Sequence, residues 1–177
     1  MAQVDPASRS EALQLLQSLG ASHRLLRHGE IVSEVATAIS DILTRLQVQH
    51  DRLLVIVGAA LHDVGKIVLP QELEGDGNRH EAEGEILLLQ HGLSSKLARV
   101  CRTHGAWDDK TVAFEERLIA LADHIWKGTR DEHLESLVTK TVAELLKISD
   151  WEAFVLLDVE LERIASDATN RLARSQS

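Results

Sequence analysis

The chain has 177 residues, 44% of them hydrophobic, which suits one domain with a sizeable core. A formal net charge of −9 argues against the basic face that a non-specific DNA or RNA binder needs. One cysteine, Cys101, excludes a disulfide framework or a cysteine zinc finger within the chain, and two Phe, three Trp and no Tyr give no stacking platform for single strands.

The first residues, MAQVDPASRSEALQLL, lack a basic segment followed by a long apolar one, so no secretory signal and a cytoplasmic location are expected. Ser8 with Glu11 reads as a capping box. Ala12, Leu15, Leu16 and Leu19 then fall at helical spacing, and Gly20 ends the helix. Next, Ile31, Val35, Ile39, Ile42 and Leu46 form a stripe, with His28 on the same face at its head.

The third segment, about 51 to 64, is the most apolar of the chain. Its LLVIV could be a strand, but a run of this length favours helix. Its apolar stretch, Leu53 to Leu61, is too short to span a bilayer, and no membrane contact is expected. His62, Asp63 and Lys66 interrupt it. A buried carboxylate costs several kcal/mol unless it is paired or bound to a metal. Gly65 and Pro70 punctuate the end, and QELEGDGNR, 71 to 79, reads as a polar loop.

A helix is expected from about 80 to 91, closed by Gly92, with His80 on the face of Gly84, Leu87 and Leu88. Another spans 94 to 104, where His104 follows Leu93, Leu97, Val100 and Cys101 on the apolar stripe. Asp108 and Asp109 are expected to cap a helix over about 111 to 127, on which Asp123 shares a face with Val112, Ile119 and Ala120. Asp131 starts the next, with Leu134, Leu137, Val138, Thr141 and Leu145 inward. Ser149 and Glu152 form a second capping box, and Trp151, Phe154, Val155, Leu161, Ile164, Ala168 and Leu172 line one long last helix. No repeat of 20 to 50 residues is visible. The fold class is all-α, an irregular bundle of about seven or eight helices.

His28, His62, Asp63, His80, His104 and Asp123 are thus aimed inward from separate helices. Alone, an inward His is most often a hydrogen-bonded core residue, and an inward Asp a cap or an arginine partner. Together they need a common partner, and a metal centre supplies one. Imidazole with carboxylate suits Fe, Mn, Co, Ni or Zn better than Ca or Mg. His91 suits a helix C-terminus but lies on nearly the face of His80, a reserve ligand. His124, turned about 100° from Asp123, could support the ligands. His23, His50 and His133 read as surface residues, and Cys101 as core filling.

The order His28, His62-Asp63, Asp123 resembles the HD superfamily of metal-dependent phosphohydrolases, and the added His80 and His104 resemble its two-metal subset. LHDVGKIVLPQEL followed by HEAEGEILL is similar to the corresponding stretch of HD-GYP cyclic-dinucleotide phosphodiesterases, with THGAWDD and IALAD in place of its later motifs. The Gly-Tyr-Pro signature is absent, Thr103 replaces the first of a paired His motif, and Arg24 stands where trinuclear members have Glu. These departures argue against a third metal and against cyclic di-GMP as substrate. The small size resembles nucleotide-cleaving members.

The resemblance implies one HD domain over 1–177, with a ligand-bearing core at 28–130 and C-terminal helices at 131–174. It implies one or two divalent transition-metal ions, with Asp63 bridging: His28, His62 and Asp123 hold one ion, His80 and His104 the other. Such a pair activates water and clamps a phosphoryl oxygen. Lys66, three residues after Asp63, would neutralise a phosphate oxygen or assist the leaving group, or is a solvated lysine beyond a helix end. Arg130 is a phosphate-contact candidate, or a surface charge beside Asp131. The expected function is metal-dependent hydrolysis of a phosphoester or phosphoanhydride in a small nucleotide-like substrate. The alternatives are a di-iron oxygenase opening a C–H or C–P bond, and a non-catalytic nucleotide-sensing module. The last helix could pair with a second chain as a homodimer or cover the core.

Overall fold

The computed structural model describes residues 4–73, 75 and 77–176. They form α1 (Arg9–Ser18), α2 (His23–Arg45), α3 (Arg52–Leu61), two 3-10 turns (Val64–Ile67 and Pro70–Leu73), α4 (Arg79–Gln90), α5 (Ser95–Ala98), α6 (Val100–Thr103), α7 (Phe114–Ile125), α8 (Glu132–Leu146), α9 (Asp150–Ser166) and α10 (Ala168–Ser175). The all-α expectation holds. Only Arg99 separates α5 from α6 and only Asp167 separates α9 from α10; with each pair taken as one bent helix, the bundle has the eight expected rods.

The spine is α2. Ser22 caps it by accepting the Leu25 N–H, and its buried face runs through Ile31, Val35, Ala36, Ile39 and Leu43. It packs on α3 and α7, and α3 packs on α1 and α7, so the apolar segment 53–61 lies at the centre. Asp51 caps α3 through the Leu54 N–H. Buried aliphatic side chains from α1 to α9 form one contiguous cluster.

Two glycines set the close approaches that build the centre. A Cβ on Gly29 of α2 would lie 2.6 Å from the Ala60 carbonyl oxygen of α3, so only glycine lets the two helices meet where His28 faces His62. A Cβ on Gly65, in the first 3-10 turn, would run into the His80 carbonyl and the Gly84 nitrogen of α4. That contact brings His80 to Asp63.

The C-terminal half departs from the expected pattern in four places. Asp108 and Asp109 cap no helix: Asp109 accepts the Thr111 N–H and hydroxyl in a turn, and α7 starts later, at Phe114, after the N-cap Ala113, whose N–H is taken by Glu116. On α8, Leu145 is exposed while Val142 and Ala143 are buried, because the helix packs on both α7 and α9 and its buried arc turns towards them. On α9, Trp151, Phe154 and Val155 are exposed, and Ala153, Leu157, Leu161 and Ile164 are buried. Both sets obey helical spacing, so periodicity alone could not choose between them. The Ser149–Glu152 capping box is present.

The expected single last helix breaks at Asp167. Arg171, buried in α10, explains the turn. Its guanidinium donates to the carbonyls of Ile125 and Trp126 at the end of α7, and of Ile164 near the end of α9. All three lie at helix ends, where the regular i+4 N–H donor is missing; Ile125 and Ile164 also accept the backbone N–H groups of Gly128 and Asp167. Arg174 adds a two-pronged bond to Glu34 of α2. Among the described residues, no helix is long and apolar enough to cross a membrane.

Candidate metal centre

The ladder of α3 stops at Leu61; His62 stays helical, and Asp63 (φ −98°, ψ 11°) turns the chain into the first 3-10 turn. This corner presents His62 towards α2 and Asp63 towards α4. His28 Nε2 lies 3.3 Å from His62 Nε2, 3.3 Å from Asp63 Oδ2 and 3.3 Å from Asp123 Oδ1. His62 Nε2 lies 3.3 Å from Asp123 Oδ1 and 3.7 Å from Asp63 Oδ2. The other oxygen of Asp63 turns to His80 Nε2 at 3.1 Å and His104 Nε2 at 3.7 Å.

Two histidines have their tautomers fixed from behind. His62 donates its Nδ1–H to the Ala59 carbonyl at 2.8 Å, and His80 donates its Nδ1–H to the Glu72 carboxylate at 2.7 Å. In the neutral ring each Nε2 is then a lone pair facing inward, the arrangement that orients metal-binding imidazoles. Glu72 also accepts the His80 backbone N–H at 3.0 Å.

The residues fit divalent ions on two observations. First, Asp63 Oδ1 and His80 Nε2, which face each other in the centre, are buried with no hydrogen-bond partner. His80 Nε2 and Asp63 Oδ1 are near each other, but their angles do not make a hydrogen bond. Orphaned buried polar atoms cost free energy and call for an unseen partner. Second, the 3.3–3.7 Å separations around His28 and His62 match the edge of about 3.4 Å expected of a tetrahedral shell with bonds of about 2.1 Å. Within each of the groups His28–His62–Asp63, His62–His104–Asp123 and Asp63–His80–His104, the candidate ligand atoms lie within 4.8 Å of one another. His104 is therefore in reach of both ion positions.

The charges fit as well. Burial disfavours a charged His28, but the Asp123 and Asp63 carboxylates outweigh it and raise its pKa to about 9. Burial, reinforced by the neighbouring His62, pushes His104 down to about 4. Burial opposes ionisation of Asp63 and Asp123 too, yet His62 and His28 hold both well below the usual carboxylate range. The centre therefore keeps two ionised carboxylates and neutralises them with imidazolium protons, which a divalent ion can replace.

Lys66 lies with its Nζ 2.6 Å from Asp63 Oδ2. The α-helix does not persist there; the 3-10 turn eclipses residues three apart and achieves the same overlap. The solvated-lysine reading does not apply. Arg130 is elsewhere. Its guanidinium is held by both oxygens of Glu135, by Asp158 and by Glu162, on the α8–α9 side. With its donors spent on three carboxylates, it is not a phosphate contact, and the expectation is corrected.

His91 is exposed and bonds the Leu87 carbonyl at the end of α4, so the reserve-ligand reading falls. His124 faces Asp131 at 3.6 Å and Trp107. His23 and His133 are exposed, while His50 is half-buried with its ring on the Val48 carbonyl. Cys101 is buried core, its thiol donating to the Leu61 carbonyl and pushed up in pKa by burial.

His28, Asp63 and Lys66 line a cavity of about 720 Å³, together with Arg24, Leu73 and Trp126. Sequence reasoning missed Glu72, which it read as loop. It also missed Trp126, whose ring meets His28 edge-on with centroids 5.3 Å apart. Trp126 is three residues after Asp123, so its helical spacing carried a signal. Glu72 carried none, because its bond to His80 closes across a loop.

The all-α bundle brings buried imidazoles and carboxylates together at a cavity, in groups that could hold a divalent metal. The chain belongs to the HD domain family, whose model matches residues 25–151. It is similar to the tRNA (cytidine(56)-2'-O)-methyltransferase of Thermoplasma volcanium, 27% identical over 141 residues that make up 71% of this chain and 38% of that protein. The enzyme of the same name from Picrophilus torridus is 26% identical over 145 residues, 73% of this chain and 39% of that one. An uncharacterized protein of Methanocaldococcus jannaschii is 26% identical over 145 residues, 73% of this chain and 82% of the relative. The chain spans about two fifths of the methyltransferases, and their named activity belongs to those longer proteins. No solved structure matches the chain.

Proposed function

We propose that this protein is a metal-dependent phosphohydrolase that cleaves a phosphoester or phosphoanhydride of a small nucleotide-like substrate. The observation that carries the reading is the Asp63 carboxylate: its two oxygens face two separate sets of imidazoles on the floor of a cavity that Lys66 and Arg24 also line. Divalent ions held there would supply Lewis-acid polarisation of a phosphoryl oxygen and a water acidic enough to attack at neutral pH.

The chain's own groups do the rest. His62 and His80 present lone pairs because Ala59 and Glu72 hold their other nitrogens. Lys66 brings an ammonium to the edge of the centre, where it pairs with an incoming phosphate oxygen and balances charge on the leaving group. Trp126 covers the His28 side of the floor and limits water there. The local cations also answer the net charge of −9, which would otherwise repel a phosphate ester.

The test is metal analysis of freshly purified protein joined to an anaerobic phosphate-release screen over nucleotides and dinucleotides. Phosphate or nucleotide release without oxygen, abolished by a chelator and restored by metal, is expected. Full metal loading with no turnover of any phosphoester, or oxygen uptake by a reduced iron-loaded sample, would overturn the reading in favour of binding or oxygenase chemistry.

A further inference from the structure

The family match ends at residue 151, but the cavity does not. Leu172, Ser175 and Gln176 also line it, and they come from α10 and the residue that follows it. α10 is fastened in place: Arg171 bonds the last carbonyls of α7, including that of Trp126, and Arg174 clasps Glu34. Leu172 is 37% exposed although the side chain before it is buried, so an apolar group is left open on the cavity side. The Ser175 hydroxyl donates to the Leu172 carbonyl, which leaves its oxygen able to accept.

The lining is mixed in chemistry. His28, Asp63 and Lys66 belong to the metal centre, with His23 and Arg24 also in the wall; Trp126, Leu73 and Leu172 are apolar; Ser175 and Gln176 are neutral hydrogen-bonders. About 720 Å³ lies in the range of roughly 300–1,000 Å³ that encloses a ligand of drug size, far more than a phosphate group alone. An indole and a leucine favour a flat apolar face, and a hydroxyl with an amide favours a neutral edge with donors and acceptors.

We propose that α10 is the selectivity wall of this cavity: Leu172, Ser175 and Gln176, with Trp126, bind the heterocyclic base of the nucleoside that leaves from a mononucleotide-sized phosphoester, while Lys66 and the metal centre bind its phosphate. Arg171 is a positioning residue that keeps α10 against α7. The proposal rests on the phosphohydrolase reading for the phosphate end and adds the element that chooses the substrate.

The test uses the metal-loaded full chain, with inorganic phosphate and the eight common ribo- and deoxyribonucleoside 5'-monophosphates as probes. Affinities are measured by calorimetry for wild type, Leu172→Trp and Ser175→Ala/Gln176→Ala. Turnover of p-nitrophenyl phosphate is followed separately. Both variants change half-exposed or exposed positions, so folding is expected to survive. The expected result is a fall of tenfold or more in affinity for the preferred mononucleotides, with phosphate affinity within twofold of wild type. Mononucleotide affinities within twofold of wild type in both variants would overturn the proposal. Selective loss of nucleotide binding alongside a wild type that turns over no phosphoester would sink the hydrolase reading and leave the wall standing.

Discussion

Asp63 is the residue on which both halves of the centre depend, since one oxygen faces His28 and the other His80 and His104. Asp63→Ala is expected to lower metal content by at least one ion per chain and to abolish turnover, as measured by elemental analysis beside the activity screen. Glu72 acts on one side only. Glu72→Gln removes the charged acceptor behind His80, and loss of such an outer partner typically weakens metal binding by about 10–100-fold. A metal titration should therefore show the weaker step shifted and the other unchanged; two unchanged steps would refute the role of Glu72. Lys66 has the opposite sign. It competes with metal for Asp63 Oδ2, so Lys66→Met should bind metal more tightly and inorganic phosphate more weakly. The six ligand candidates were legible because each sits on an apolar stripe where a polar group is anomalous. Arg130 misled because its spacing in sequence from Asp123 was visible, whereas the end of α7 at Ile125 and the closing of Glu135, Asp158 and Glu162 around it were not.

At the scale of elements, the centre exists because helices approach more closely than most side chains permit. Gly65→Ala would push the first 3-10 turn off α4, where the obstacle is backbone and cannot swing away. Overpacking of this kind typically costs about 1–3 kcal/mol. Denaturant melts should show that loss, and metal titration should show weakened binding at His80. The helices themselves were readable from caps and stripes: Ser8, Asp131 and Ser149 all cap where helices begin. The C-terminal region was not, for two reasons. α9 carries apolar residues on two faces, and only packing decides which is buried. The break at Asp167 depends on Arg171 reaching carbonyls of α7, a contact between residues 45 and 46 positions apart. Arg171→Met would leave the Trp126 carbonyl without its guanidinium partner, an expected cost of about 1–3 kcal/mol, and would raise KM for the substrate more than it lowers kcat.

For the whole molecule, the centre makes stability depend on pH in a way that metal reverses. In the metal-free protein His28 titrates near 9 rather than 6.5, so its stabilising contribution is complete below 6.5 and is lost as pH rises through 9. His80, also raised, acts in the same direction. His104, lowered to about 4, works the other way: folding leaves it uncharged, so stability falls as pH drops from 6.5 towards 4. Asp63 and Asp123 are held low, and their contribution is lost only in strong acid. These groups together place the stability maximum of the metal-free protein near pH 6.5. Metal takes the place of the His28 proton, so the metal-loaded protein should keep its melting temperature between pH 6.5 and 9. Thermal melts across that range, with and without metal, check both limbs.

The central claim is that His28, His62, Asp63, His80, His104 and Asp123 surround bound cations. Crystals grown with manganese or iron, measured at the metal's absorption edge, test it most directly. An anomalous peak is expected among His28, His62, Asp63 and Asp123, with a second beside the other Asp63 oxygen at full loading. Anomalous density elsewhere on the molecule, with none within bonding distance of Asp63, would contradict it.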